Sequence, residues 1–217
     1  MSSQNDLLIT ALVDLEEDEF DRLFKDALAA GQEPLELLES CRKGMEIVGK
    51  RFETKEYFLV DLIMAAEIFK NASSQLEPKL IHSGKVDSAG TIVFGTVHGD
   101  IHDIGKDIVI AMLRGAGFTV HDLGVDAAPQ AFIDKVIETD ATVVGMTGLI
   151  TISFDSMKDT IDALTAAGLR QRVKVMIGGG MVNEKVREHV GADAWGEDVV
   201  SAVALAHQLT GQMTEVI

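Results

Sequence analysis

Positions 98 to 106 read His98-Gly99-Asp100-Ile101-His102-Asp103-Ile104-Gly105-Lys106, directly after the apolar run Thr91–Val97. Imidazole and carboxylate are the side chains that bind metals and move protons near neutral pH. Two histidines and two aspartates fall within six residues here. Asp and Gly are also ordinary loop residues, and Asp103 could cap a following helix, so composition leaves metal chemistry and a plain polar loop equally open. A divalent-metal hydrolase built on His98, Asp100, His102 and Asp103 is one function the loop allows. A phosphate-binding loop is not: five residues rather than four separate Gly99 from Gly105, and Asp107 stands where a Ser or Thr would hold magnesium. Two further stretches share its character. Thr147-Gly148-Leu149-Ile150-Thr151-Ile152-Ser153 is small, hydroxyl-rich and uncharged, and Gly178-Gly179-Gly180 lets a bulky group approach the backbone.

The elements that position these loops come in two patterns. Residues 1 to about 80 read as helix throughout: a short segment around Leu7–Val13, then an apolar face of Phe20, Leu23, Phe24, Ala27 and Leu28 ending at Gly31. Pro34 opens a helix bearing Leu37, Leu38, Cys41, Met45, Val48 and Phe52, and a last apolar face runs through Leu59, Leu62, Ile63, Ala66 and Phe69 before Pro78. This is the helix count of a small four-helix bundle, assigned to residues 1–81. The polar, aperiodic stretch His82–Gly90 is read as a linker and a candidate hinge.

From 91 to 217 short β-branched runs alternate with helical ones. Expected strands are Thr91–Val97, Thr119–Asp122, Thr142–Met146, Val173–Ile177 and Ala192–Trp195. Expected helices lie near Lys106–Gly115, Gln130–Glu138, Asp155–Ala167, Glu184–His189 and Val199–Leu209. Such alternation forces right-handed crossovers and a parallel sheet, here a flavodoxin-like α/β domain of five strands. Ligands of such sheets gather past the strand ends where the strand order reverses, between the first and third strands. The loops after Val97 and Met146 therefore meet there.

Charge narrows the partners. The 217 residues carry 19 Lys and Arg against 35 Asp and Glu, a net charge of −16 that repels nucleic acid and anionic lipid. The single cysteine, Cys41, excludes an intrachain disulfide and suits a reducing compartment. No apolar stretch reaches the ~20 residues of a membrane span, and Met1–Thr10 lacks the features of a secretion signal, so a cytoplasmic protein is expected.

The residues so far singled out also carry a resemblance. Asp100-x-His102-x-x-Gly105, then 41 residues (106 to 146), then Thr147-x-Leu149, then Gly178-Gly179 resembles the cobalamin-binding signature of methionine synthase and of the corrinoid proteins of methyl-transfer systems. Thr147 stands where the family carries Ser, and keeps the hydroxyl. Gly99–Val109, Asp122–Val125, Gly191–Asp198 and, in the helical half, Phe58–Glu67 are similar as well, so nearly the whole chain is covered.

The resemblance implies a cobalamin cofactor whose own dimethylbenzimidazole base leaves cobalt, with His102 as the metal ligand in its place. It implies a His102–Asp100–Ser153 relay as the catalytic group; independently of the resemblance, Ser153 can be read as an N-cap for the helix near Asp155, a role compatible with the relay. Cofactor contacts are implied at Gly99, Ile101, Asp103, Ile104 and Gly105, at Thr147, Leu149 and Thr151, and at Gly178 and Gly179. Thr147 would hydrogen-bond the buried benzimidazole nitrogen. Trp195 either touches the cofactor or packs the core. Phe58, with Leu59 and Ile63, either caps the reactive face of the cobalt or belongs to the bundle core.

The function implied is that of a methyl carrier, itself a non-catalytic subunit. It would pass a methyl group from a substrate-specific methyltransferase acting on a methylamine, methanol, glycine betaine or aryl methyl ether. The recipient would be a methylcobalamin-dependent acceptor methyltransferase using tetrahydrofolate or coenzyme M, with a reductive activator as a further partner. A cobalamin-dependent regulator would need a basic DNA-binding domain, and an isomerase subunit normally lacks the helical cap. The metal-hydrolase alternative leaves Thr147, Gly178 and Gly179 unexplained.

Overall fold

A computed structural model describes residues 4–81 and 88–211. Most of the expected linker, His82–Asp87, lies outside the described residues. By their contacts the described residues fall into two compact units, one the N-terminal helices together with the stretch Arg114–Gly117, the other a sheet with its flanking helices.

The helical unit comprises α1 (Gln4–Val13), α2 (Glu17–Ala29), α3 (Pro34–Glu53) and α4 (Leu59–Ile81). Pro34 opens α3, where its missing N–H costs nothing. Leu8, Leu12, Phe20, Phe24, Leu37, Met45, Leu62, Phe69 and Leu76 are buried along their inner faces. Arg51 bonds Asp14 at 2.9 Å and the Tyr57 hydroxyl at 2.7 Å, tying the turn after α1 to the turn after α3.

At the start of α4 the expected single apolar face divides. Leu62, Ala66 and Phe69 are buried, whereas Phe58, Leu59, Val60, Ile63 and Met64 are exposed. Phe58, Leu59 and Ile63 are therefore not bundle core. The helix also continues past Pro78 to Ile81. Among the described residues, no helix is long and apolar enough to cross a membrane.

Cys41 points into this core, and burial pushes its thiol up to about 12. Folded protein at pH 8 is expected to give no fast reaction with a thiol-reactive disulfide and one equivalent after denaturation. A full equivalent from native protein would mean that the core opens there.

The second unit alternates β1 (Thr91–Thr96), α5 (Ile104–Gly115), β2 (Thr119–Asp122), α6 (Pro129–Thr139), β3 (Val143–Thr147), α7 (Ile152–Ala166), β4 (Lys174–Gly178), α8 (Glu184–Val190), β5 (Ala194–Gly196) and α9 (Val199–Leu209). All pairings are parallel, in the order β2-β1-β3-β4-β5. The chain steps one way after β1 and the opposite way after β2. Right-handed crossovers therefore put α5 on one face and α6, α7 and α8 on the other. Val93, Val144, Met146, Val175 and Ile177 pack with Phe132, Met157, Ile161, Leu164 and Val186 on that second face. The central strands β1 and β3 are buried on both sides, as β-branched runs without alternation require.

Candidate functional site

The reversal between β1 and β3 brings their C-terminal ends side by side, with Thr96 opposite Thr147 in register. Gly99, with φ +81, turns the chain after β1; its N–H donates to Asp126 Oδ1 at 2.8 Å. That turn drives Asp100 inward. Asp100 is fully buried, an expensive place for a carboxylate unless every oxygen is bonded.

They are. Oδ1 accepts from the His102 N–H at 3.0 Å and lies 2.6 Å from His102 Nδ1. Oδ2 accepts from Ser153 Oγ at 2.7 Å and from the N–H groups of Leu149 and Ile150 at 2.7 and 3.4 Å. Burial works to raise the carboxyl's pKa, but the bonds from Ser153, from the His102 N–H and ring, and from Leu149 outweigh it. They hold the group well below the usual carboxylate range.

An ionised carboxylate only accepts, so Nδ1 of His102 is the donor and Nε2 is the ring nitrogen left for another partner. The His102 side chain is 51% exposed. A fixed, half-exposed imidazole backed by a buried carboxylate is the arrangement found behind metal-ligating histidines. The structure thus brings His102, Asp100 and Ser153 into one chain of bonds.

Other expected residues fall differently. Ser153 does not cap a helix near Asp155: α7 already begins at Ile152, Thr151 occupies the N-cap, and the Ser153 hydroxyl is committed to Asp100. Thr147 ends β3 rather than opening the loop, which shortens to Gly148–Thr151. His98 Nδ1 lies 2.7 Å from Asp126 Oδ1. Among the described residues no three His, Cys, Asp or Glu side chains could hold a metal ion together. The four-residue hydrolase set His98, Asp100, His102 and Asp103 is therefore not assembled. Asp103 immediately precedes α5, and its carbonyl accepts the Asp107 N–H at 2.8 Å. Trp195 is partly buried and packs against the core.

The glycines differ in kind. At Gly179, with φ +136, a Cβ would collide with the Gly148 carbonyl, so the fold itself excludes a side chain. A Cβ at Gly178 would meet only Gly196 O at 3.6 Å, and one at Gly105, the second residue of α5, would meet nothing within 4 Å. Around them Ile101, Ile104, Leu149, Ile150, Ile152 and Met181 are exposed, all in or beside the loops after β1, β3 and β4. An apolar rim of this sort around one polar group marks a ligand or partner site.

Sequence reasoning missed four supports. The N–H groups of Leu149 and Ile150 carry no side-chain signature. Asp126, at φ +52, donates its own N–H to Asp100 O at 2.9 Å. Lys106 is buried with Asp107 at 2.6 Å and Asp122 at 2.8 Å; these partners outweigh burial and raise its pKa. Thr96 Oγ1 donates to His102 O at 2.8 Å. Only Thr96 left a signal, a hydroxyl at the end of a buried apolar run.

Residues 90–204 match the family described as B12 binding domain, and residues 4–77 match a second family of the same description. The chain is 38% identical over 213 residues to a corrinoid protein of Desulfitobacterium hafniense, covering 95% of this chain and 97% of that one. It is 42% identical over 177 residues to dimethylamine corrinoid protein 3 of Methanosarcina acetivorans, covering 81% and 83%. Against the solved methanol:cobalamin methyltransferase complex MtaBC of Methanosarcina barkeri it gives a TM-score of 0.83 at 27% identity, covering 98% of this chain and 81% of that one.

Proposed function

Because the chain belongs to the B12-binding corrinoid proteins and takes cobalamin as its cofactor, we propose that it carries a methyl group on that cofactor, with His102 as the lower ligand of cobalt. The observation that carries this is the His102 ring itself, half exposed, with Nδ1 held 2.6 Å from a buried Asp100 and Nε2 left for a metal.

The residues present fit the group. A neutral imidazole is a good cobalt ligand, and the exposed apolar rim of Ile101, Ile104, Leu149 and Ile150 suits the flat apolar face of a corrin ring. Gly105 and Gly178 leave open space where side chains would stand, which a long nucleotide tail needs. Thr147, at the end of β3, offers a hydroxyl to the tail's buried base.

When bound, cobalamin supplies the metal that accepts and releases the methyl group. The chain's own part is to hold and orient. Asp100 fixes the His102 tautomer and strengthens the imidazole as a donor, and Ser153 with the Leu149 N–H keeps Asp100 ionised. Phe58, Leu59 and Ile63 form an exposed apolar group on the helical unit that suits a cap over the reactive face.

The partners follow from this role: a methyltransferase that demethylates a small donor, a second that passes the methyl group to tetrahydrofolate or coenzyme M, and a reductive activator. The relatives named for dimethylamine and methanol make those donors the first to try. The test is protein loaded with cobalamin, mixed with a donor-specific methyltransferase and each donor in turn, while the visible spectrum of the cobalt is followed. A spectral change with one donor supports the reading; none with any donor-enzyme pair refutes the carrier role.

Gly105 offers a separate check. Alanine is the better helix former and meets nothing here, so Gly105→Ala is expected to stabilise the apoprotein by a few tenths to about 1 kcal/mol. If the cofactor tail passes this point, the same change lowers cobalamin affinity at least about tenfold. Unchanged binding by titration would move the tail elsewhere.

A further inference from the structure

Resting on the reading of Thr147 as the contact for the cofactor's nucleotide base, we propose that Thr96 is a positioning residue: seating of that base reverses a two-hydroxyl relay and releases the main-chain carbonyl of His102.

Thr96 ends β1, fully buried, and faces Thr147 at the end of β3. Its Oγ1 lies 2.8 Å from the carbonyl oxygen of His102 and 3.1 Å from Thr147 Oγ1. A hydroxyl has one proton to give, and a carbonyl can only accept. The Thr96 proton therefore goes to His102, and the bond between the two threonines must be made with the Thr147 proton. With no base in place, Thr147 is already a donor, and its proton points at Thr96.

The free nitrogen of a benzimidazole released from cobalt is an acceptor. To hold it, Thr147 must turn its proton away from Thr96. Two oxygens 3.1 Å apart would then face each other with no proton between them, unless Thr96 turns its own proton toward Thr147. That second turn satisfies both hydroxyls in a single line, Thr96 to Thr147 to base. It leaves the His102 carbonyl oxygen 2.8 Å from a hydroxyl oxygen that no longer donates to it, so that peptide must move away from Thr96. Thus the proton that grips one end of the cofactor frees the peptide that carries the ligand at the other.

The experiment compares the full-length protein loaded with hydroxocobalamin and with cobinamide, the same corrin without its nucleotide. Labelling His with 13C at the carbonyl and Asp with 15N marks two peptides only, His102–Asp103 and His121–Asp122. His102 stands available to the cobalt of either corrinoid, so the difference between the two samples reports the tail. The His102 carbonyl resonance is expected upfield in the cobalamin form relative to the cobinamide form, with the His121 resonance unchanged. Thr96→Val should abolish the difference and Thr96→Ser should retain it; the wild-type comparison decides the matter if Thr96→Val does not fold.

Thr147→Val separates this proposal from the reading it rests on. That variant should narrow the preference for cobalamin over cobinamide by about fivefold, one neutral hydrogen bond. If it does so and the wild-type resonances coincide, the relay is wrong and the base contact stands. If the preference does not change, Thr147 does not hold the base and both readings fall.

Discussion

Replacing His102 with alanine is expected to leave the apoprotein folded while removing the nitrogen ligand beneath cobalt. The side chain is half exposed, and its ring is held by a bond to Asp100. Apoprotein stability should therefore fall by no more than about 1–2 kcal/mol. Cofactor binding should change far more. Losing a mere supporting partner of a metal ligand costs about 10–100-fold in affinity, so losing the ligand itself should cost at least that much. Protein loaded with hydroxocobalamin should show a nitrogen-ligated visible spectrum in the wild type and a water-ligated one in His102→Ala. Added imidazole should restore the first. Identical spectra for the two proteins would remove His102 from the cobalt.

Asp100→Asn should have the largest effect on the fold of the site. Every group that faces the carboxylate is a donor: the His102 ring and N–H at one oxygen, Ser153, Leu149 and Ile150 at the other. An asparagine amide has a single acceptor oxygen. Placed toward Ser153, its NH2 meets the Leu149 N–H; placed toward His102, it meets the His102 N–H. Either way a main-chain donor loses its acceptor, and with the lost charge-assisted bonds the cost is about 2–4 kcal/mol. In a chain of this length that is a drop in Tm on the order of 10 °C. The second orientation also favours the tautomer with its proton on Nε2, which closes the nitrogen meant for the metal.

The same variant gives a pH signature. The folded state holds the Asp100 carboxyl below the usual range, whereas in the unfolded chain it titrates near the ordinary value of about 3.9. Its contribution to stability is therefore fully present above about pH 4 and is lost as the pH falls through the folded value. The gap in urea midpoint between wild type and Asp100→Asn should be widest at pH 7, somewhat smaller at pH 3, and should close only as the pH falls through the folded value. A gap of equal width throughout would mean that the carboxylate's charge contributes nothing.

Much of this molecule can be read without its coordinates because burial leaves a periodic mark. The inward residues of α2 and α3 recur at helical spacing, and β1 and β3, covered on both faces, appear as unbroken apolar runs. Strand–helix alternation then suggests a flavodoxin-like order of parallel strands, in which residue 100 lies beside residue 149. His102 and Asp100 were legible as a pair only through the resemblance to cobalamin-binding proteins, because the loop's composition alone left metal chemistry and a plain polar loop equally open.

Where periodicity misled, the cause was local. The start of α4 carries apolar residues on more than one face, so Phe58 and Ile63 resemble core until their exposure is seen. His98 and Asp103 look like metal ligands until the Asp126 turn claims His98 for a different partner.

By itself, then, the chain determined its classes of element, the fold they imply and the side chains able to do chemistry, because hydrophobic patterning and short spacings are local properties. Tertiary structure alone decided that the Leu149 and Ile150 N–H groups join in holding Asp100, that Ser153 does not also cap α7, and that Thr96 meets Thr147. Those bonds depend on strand register and on main-chain N–H groups, which every residue but proline possesses and no side chain announces.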